Sequence, residues 1–420
     1  MLLLALVQGA ASAQEVNRVV RGGVVYEFQD EAWKCTGYDS TDDSFPANGE
    51  ITILSELEIS PDYDVPVTEI VEWAFNDKDN NVNTVDIKGV VISEGIKTIG
   101  ENAFNRCINI THITLPSTIE NVGEGAFHCG DNLRWVDCRQ VSRTWNNRLS
   151  YDDYIIFCGL YNYLMNLEFT LLYMPSWWVI GGTNVILTDA NGNRSCQEFH
   201  YSRNMDYCVP DGFTAAKCTV LQKLAADEGA YSVCLPYSLP VPQGAKAYSL
   251  RKRNDTDVCF SQISGNMEPF KPYLIVASEN VALDCNSEQE LLATEAAEAR
   301  LTTDKANGVT IHGTLKRIGN TAAANGAYYV LQANNEWKQV STQNSNVTVP
   351  PFRVYLTLDQ EQSGNLHFSF YDAEDAITVP TALPIQAQDD RWNTIHGQQL
   401  NGQPKTKGVF IHNGRKVVVR

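Results

Sequence analysis

The stretch Ile99-Gly100-Glu101-Asn102-Ala103-Phe104-Asn105-Arg106-Cys107-Ile108-Asn109-Ile110-Thr111-His112-Ile113-Thr114-Leu115-Pro116 decides the fold, because the chain writes it again. Val122-Gly123-Glu124-Gly125-Ala126-Phe127 repeats its opening, and Leu133, Val136 and Cys138 repeat Ile110, Ile113 and Leu115, every anchor displaced by 23 residues. A fixed period of this size is the mark of stacked units, each too small to bury its own apolar side and each sharing a core with its neighbours. An earlier copy stands at Ala74-Phe75, 29 residues before Ala103, while Val90 and Ile92 keep the spacing of 23 before Ile113 and Leu115. The six extra residues therefore fall ahead of that strand. Downstream, Phe169, Leu172, Met174 and Pro175 repeat the spacing of Ile110, Ile113, Leu115 and Pro116, after an interval of 36 from Leu133. End units of a stack depart from the consensus because they must cap an open core.

Alternation along a strand turns Ile113 and Leu115 inward and His112 and Thr114 outward. Stacking then aligns His112 with Trp135 and Leu171, Thr114 with Asp137 and Tyr173, and Thr111 with Arg134 and Thr170. A large aromatic beside an arginine and an aspartate on an open strand is a composition that recognises partners. The ligand-binding candidates are accordingly Trp135, Arg134, Asp137, His112, Thr114 and Tyr173. The alternative is that Trp135 packs beneath the long 140–168 segment, whose Trp145, Tyr151, Tyr154, Phe157, Tyr161 and Tyr163 need apolar cover of their own.

The pattern I-G-x-x-A-F-x-x-C-x-x-I-x-x-I-x-L-P, read from Ile99 to Pro116, resembles the BspA-type leucine-rich repeat of surface and secreted proteins of Bacteroidetes and other host-associated microbes. Gly22-Gly23-Val24-Val25-Tyr26-Glu27 and Val65-Pro66-Val67-Thr68-Glu69-Ile70 are similar to the capping strands of those proteins. Phe213-Thr214-Ala215, Val233-Cys234-Leu235-Pro236-Tyr237 and Ala247-Tyr248 look like signals of the β-domains that follow such repeats. The end, from Gly397-Gln398-Gln399-Leu400 through Lys407 to Val417, resembles part of the sorting domain of type IX secretion. What the resemblance implies is a binding or adhesion role; the family motif contains no catalytic residues.

Leu2 to Val7 form an apolar run ending at Ala11-Ser12-Ala13, a cleavage pattern that reads as a signal peptide over residues 1–13. No later stretch approaches the ~20 apolar residues of a membrane helix, so the expectation is a secreted or cell-surface protein without membrane insertion. A net charge of −18 disfavours nucleic acid as a partner. Of the eleven cysteines, Cys107 and Cys129 read as core thiols, and Cys196 with Cys208 is the closest-spaced candidate for a bridge in its turn-rich stretch.

From about Gly181 the frame gives way to short β-rich runs. Ala247-Tyr248-Ser249-Leu250 leading to Pro269-Phe270-Lys271-Pro272-Tyr273-Leu274 resembles Ala327-Tyr328-Tyr329-Val330 leading to Pro351-Phe352-Arg353-Val354-Tyr355-Leu356, at offsets of 80 and 82. This predicts one β-unit used twice, two copies facing each other as a sandwich, with Phe270 and Phe352 in its core. Ser287-x-x-Glu290 has capping-box spacing ahead of a helix or a connecting strand. The mostly β architecture is thus a leucine-rich repeat solenoid with N-terminal cap over 14–180, a β-sandwich region over 181–375, a linker over 376–390, and a C-terminal sorting-like tail over 391–420 ending in a hairpin around Asn413-Gly414.

No G-x-S-x-G, H-E-x-x-H or phosphate loop occurs. Asp189, Asn191 and Asn193 match the first positions of a calcium loop, but Gly192 is out of place and a hairpin turn explains them better. The reading is a non-enzymatic protein with no cofactor, no metal and no catalytic residue. It recognises an extracellular protein; the alternatives are a carbohydrate-binding or carbohydrate-active accessory protein, or a structural envelope protein.

Overall fold

A computed structural model describes residues 17–60, 63–76, 87–127, 129, 132–142, 169–179, 181–226, 229–254, 257–332, 336–343, 346–360, 366–371, 392–394, 399–400, 404–405, 407–412 and 415–419. The expected signal peptide over 1–13, all of the aromatic 140–168 segment beyond residue 142, and the 376–390 linker lie outside them. The chain divides into two units, Met1–Tyr371 and Asp372–Arg420, and among the described residues it is mostly β, with short helices at Thr294–Ala299 and Asn320–Asn325.

The 23-residue frame becomes two parallel ladders around one core. On one side Glu69 pairs with Thr98 and Thr98 with Asn121. On the other, Glu50, Gly89, His112, Trp135 and Leu171 stand at one height on successive strands, as do Thr52, Val91, Thr114, Asp137 and Tyr173. Between the ladders Phe75, Phe104 and Phe127 stack face to face, with ring centroids 4.7 and 5.7 Å apart, and Tyr38 extends the column from the N-terminal cap. The Phe75 N–H donates to the Ala103 carbonyl and that of Phe104 to Ala126, both at 2.8 Å, so the Ala-Phe turn bonds each copy to the next. Gly100 and Gly123 sit where adjacent turns touch: a Cβ on either would come 2.3 Å from a backbone nitrogen of the preceding copy. The fully buried thiols of Cys107 and Cys129 fill the same core.

The second ladder does not stop near Gly181. Tyr173 pairs in parallel with Ile186, Ile186 antiparallel with Cys196, Cys196 in parallel with Ala215, and Cys218 antiparallel with Cys285, giving a ten-stranded sheet. Continuing the sheet leaves no exposed edge at 171–173, where unpaired backbone would invite association. Asp189 accepts the N–H groups of Asn191 and Asn193 in the hairpin joining Val185–Thr188 to Arg194–Tyr201.

The two similar β-units share one topology. In the first, Ala230–Val233 lies beside Tyr273–Ala277, then Ala245–Asn254, then Asp257–Gln262; in the second, Val309–Thr314 lies beside Arg353–Leu358, then Tyr329–Leu331, then Trp337–Gln339. Every one of these pairs is antiparallel. A core of Tyr248, Phe260, Leu274, Ile311, Trp337 and Leu356 draws on both sheets. Phe270 and Phe352 occupy equivalent turns with φ of 62° and 59° after a proline. They are buried, but in the cluster that joins the units to the ten-stranded sheet rather than between their own two sheets. The expected capping box is not one: Gln289–Leu291 is a strand, and the helix that follows starts after Ala293 without a side-chain cap. In the C-terminal unit the expected hairpin pairs His412 with Arg415 and belongs to a four-stranded antiparallel sheet.

Candidate functional site

The outward face of the parallel ladder carries His112, Thr114, Trp135, Asp137 and Tyr173, with Arg134 just ahead of the Trp135 strand, and its two ends differ. Towards Leu171–Tyr173 it is covered. Tyr173 is fully buried, its ring against Phe213 and its hydroxyl donating to the Asp211 carbonyl at 2.6 Å. The expectation that Tyr173 faces a ligand is therefore corrected. The sheet that continues past residue 181 brings the 202–212 connection over this end, with Tyr207 and Val209 in the same core cluster as Leu171 and Tyr173.

Asp137 is engaged as well. Arg139, in the turn two residues on, donates to both its carboxylate oxygens, at 2.9 Å from Nε and 2.6 Å from Nη2. Its Nη1 bonds Asp211, and the guanidinium lies 5.2 Å from the Tyr173 ring centroid. The Asp137 hydrogen bond and charge hold the Arg139 pKa above its ordinary value. This network ties the repeat to the 202–212 connection and leaves Asp137 little to offer a ligand. Sequence reasoning missed Arg139, which stands in the turn just after the Trp135–Asp137 strand, where no strand alternation signals its direction.

Trp135 is half-buried and packs on the same cluster. His112 stacks on its ring, centroids 4.6 Å apart and planes 20° apart. One face of the indole is thus occupied by the imidazole. Trp135 thus packs against the cluster that includes Tyr207 and Val209; residues 143–168 of the 140–168 segment weighed as its cover lie outside the described residues. Arg134 is half-buried at the margin, its Nη2 3.4 Å from Asn132 Oδ1.

Towards the N-terminal copies the face opens. His112 is held by Thr111 Oγ1 at its Nδ1 (3.0 Å) and by Glu50 at its Nε2 (3.2 Å). Burial lowers its pKa, with Glu50 opposing. Beside this pair, Val91 is 39% exposed, flanked in its row by exposed Thr52 and half-buried Thr114. Val91 was legible as an outward residue, since Val90 and Ile92 point in. Of the sequence-derived candidates, His112 and Thr114 stand on this open part, Arg134 and Trp135 at its margin, and Asp137 and Tyr173 beneath cover.

Among the described residues no group of three or more His, Cys, Asp or Glu is placed to hold a metal ion, and no helix is long and apolar enough to cross a membrane. Residues 68–151 match the family described as the BspA type leucine rich repeat region, in six copies; the chain carries such a region there. A leucine-rich repeat protein from Bacteroides capillosus ATCC 29799 is similar at 21% identity, covering 29% of this chain and 97% of that one, with a TM-score of 0.22. A leucine rich cell surface protein from Faecalibacterium prausnitzii A2-165 is similar at 13% identity, covering 62% of this chain and 66% of that one, also with a TM-score of 0.22. No curated protein matches this chain.

Proposed function

We propose that this is a secreted or cell-surface binding protein in which residues 14–180 form a capped leucine-rich repeat solenoid and present a protein-recognition face on its first copies. The β-units over 181–375 act as a sandwich that closes the far end of the stack. The observation that carries the reading is the open row Thr52–Val91–Thr114 beside Glu50 and His112. An exposed apolar side chain ringed by hydroxyls and a carboxylate–imidazole pair combines a desolvating contact with directional hydrogen bonds, and rigid strands lower the entropy lost on binding. A protein partner is favoured over a glycan because the aromatic expected to stack on a sugar, Trp135, already has His112 on its ring. The BspA-type repeat region supports a surface role.

The test is an array of immobilised extracellular matrix and serum proteins run beside a glycan array, with wild type and a Val91→Arg/Thr114→Arg variant. Both side chains face outward, so the variant keeps its thermal midpoint. It should lose tenfold or more in affinity for a protein that wild type binds. Binding to glycans alone, or equal binding by the variant, would overturn the proposal.

A further inference from the structure

Two cysteines stand directly opposite one another inside the ten-stranded sheet. Strands Phe213–Leu224 and Val281–Cys285 run antiparallel with Cys218 paired to Cys285, Thr219 to Asp284 and Val220 to Leu283. Directly opposed residues of an antiparallel pair project to the same face, with Cα atoms about 4.5–5.5 Å apart, inside the span of about 4.4–6.8 Å that a disulfide bridges. Cys218 and Cys285 are 0% and 1% exposed and lie in one core cluster. Both thiols are free in this structure. Among the described residues no other two cysteines are register partners in a sheet.

We propose that Cys218 and Cys285 are a modification site, oxidised to an intrachain cross-strand disulfide when the protein folds in the presence of a thiol–disulfide oxidant. One thiolate attacks a sulfur of the oxidant's disulfide, forming a mixed disulfide and expelling one oxidant thiolate. The second protein thiolate then displaces the other. One S–S bond forms in the protein and one breaks in the oxidant, which takes up two electrons; the two protons pass to its thiols. In the finished fold burial raises the Cys218 thiol well above its usual range, so the exchange belongs to the folding chain, where thiolate is accessible. The bond would join cysteines 67 positions apart in the chain and fix the sheet beyond the repeat.

The full chain is refolded from denaturant with oxidised and reduced glutathione, alkylated, digested without reduction and read by tandem mass spectrometry. The expected product is a Cys218–Cys285 linked peptide two hydrogens lighter than its parts, and a thermal midpoint roughly 5 °C above that of the reduced protein. A Cys218→Val/Cys285→Val variant, which keeps the core filled, should lose the linked peptide and the dependence of the midpoint on reductant. Soluble refolded protein with both thiols alkylated, or with either cysteine linked to Cys196 or Cys208 instead, overturns the assignment. Because the assay supplies its own oxidant, its outcome is independent of where the protein resides.

Discussion

Gly123→Ala adds a single methyl group at the seam between repeat copies, and the structure makes that methyl expensive. A Cβ at this position would lie 2.3 Å from the Glu101 nitrogen, 2.6 Å from its Cα and 2.7 Å from the Gly100 carbonyl carbon, where ordinary contact begins at 3.4 Å. All three atoms are backbone, so no rotamer change relieves the overlap and the copies must part by about 1 Å. Three hydrogen bonds cross the same seam: Gly123 N to Ile99 O at 2.8 Å, Asn102 N to Glu124 O at 2.9 Å, and Phe104 N to Ala126 O at 2.8 Å. Overpacking costs about 1–3 kcal/mol, and weakening one of these bonds adds about 1 kcal/mol. The stiffer unfolded chain returns about 0.4–1 kcal/mol. The net expectation is a loss of about 2–3 kcal/mol in urea unfolding at unchanged m. Gly319→Ala is the control for added volume, since a Cβ there meets nothing within 4 Å; as the N-cap of the helix Asn320–Asn325 it should cost no more than about 1 kcal/mol. A Gly123→Ala protein as stable as that control would refute close backbone contact between copies.

Phe104→Ala removes the central ring of the aromatic column and should cost about 3–5 kcal/mol by the same unfolding assay. Arg139→Ala leaves Asp137 and Asp211 facing each other without their cation; a loss of about 2–3 kcal/mol is expected, and Arg139→Lys should recover only part of it because the forked geometry is gone. His312, stacked on Tyr355 with centroids 4.8 Å apart, has a pKa lowered by burial. The unfolded chain therefore takes up this proton first as pH falls, so the contribution of His312 to stability is present above about 6.5 and declines below it. In His312→Gln the fall in thermal midpoint between pH 7.5 and 5.5 should be shallower, and an NMR titration should place the wild-type imidazole below the free-histidine value.

What could be read from the sequence was whatever the 23-residue period dictates. The column of Phe75, Phe104 and Phe127, the inward Ile113 and Val136, and the rows pairing His112 with Trp135 and Thr114 with Asp137 all follow from spacing, and the ladders realise them. The relation between Phe270 and Phe352 was legible too, as a repeated Pro-Phe, although not the core into which each ring turns. Long-range cover was not legible. Nothing local to Tyr173 says that residues some 34–38 positions later will pass over it, because burial of an outward strand residue is decided by tertiary packing. The same blindness made Trp135 ambiguous, and it hid the engagement of Asp137 by Arg139 and Asp211.

The most direct test of the account is site-specific photo-crosslinking with benzoylphenylalanine placed at position 91, at position 114 and, on a strand of the second β-unit, at exposed position 338. With an extracellular protein captured on the array as partner, the account predicts covalent adducts from positions 91 and 114 and none from 338. Adducts from position 338, with positions 91 and 114 silent, would contradict it and move recognition to the β-units.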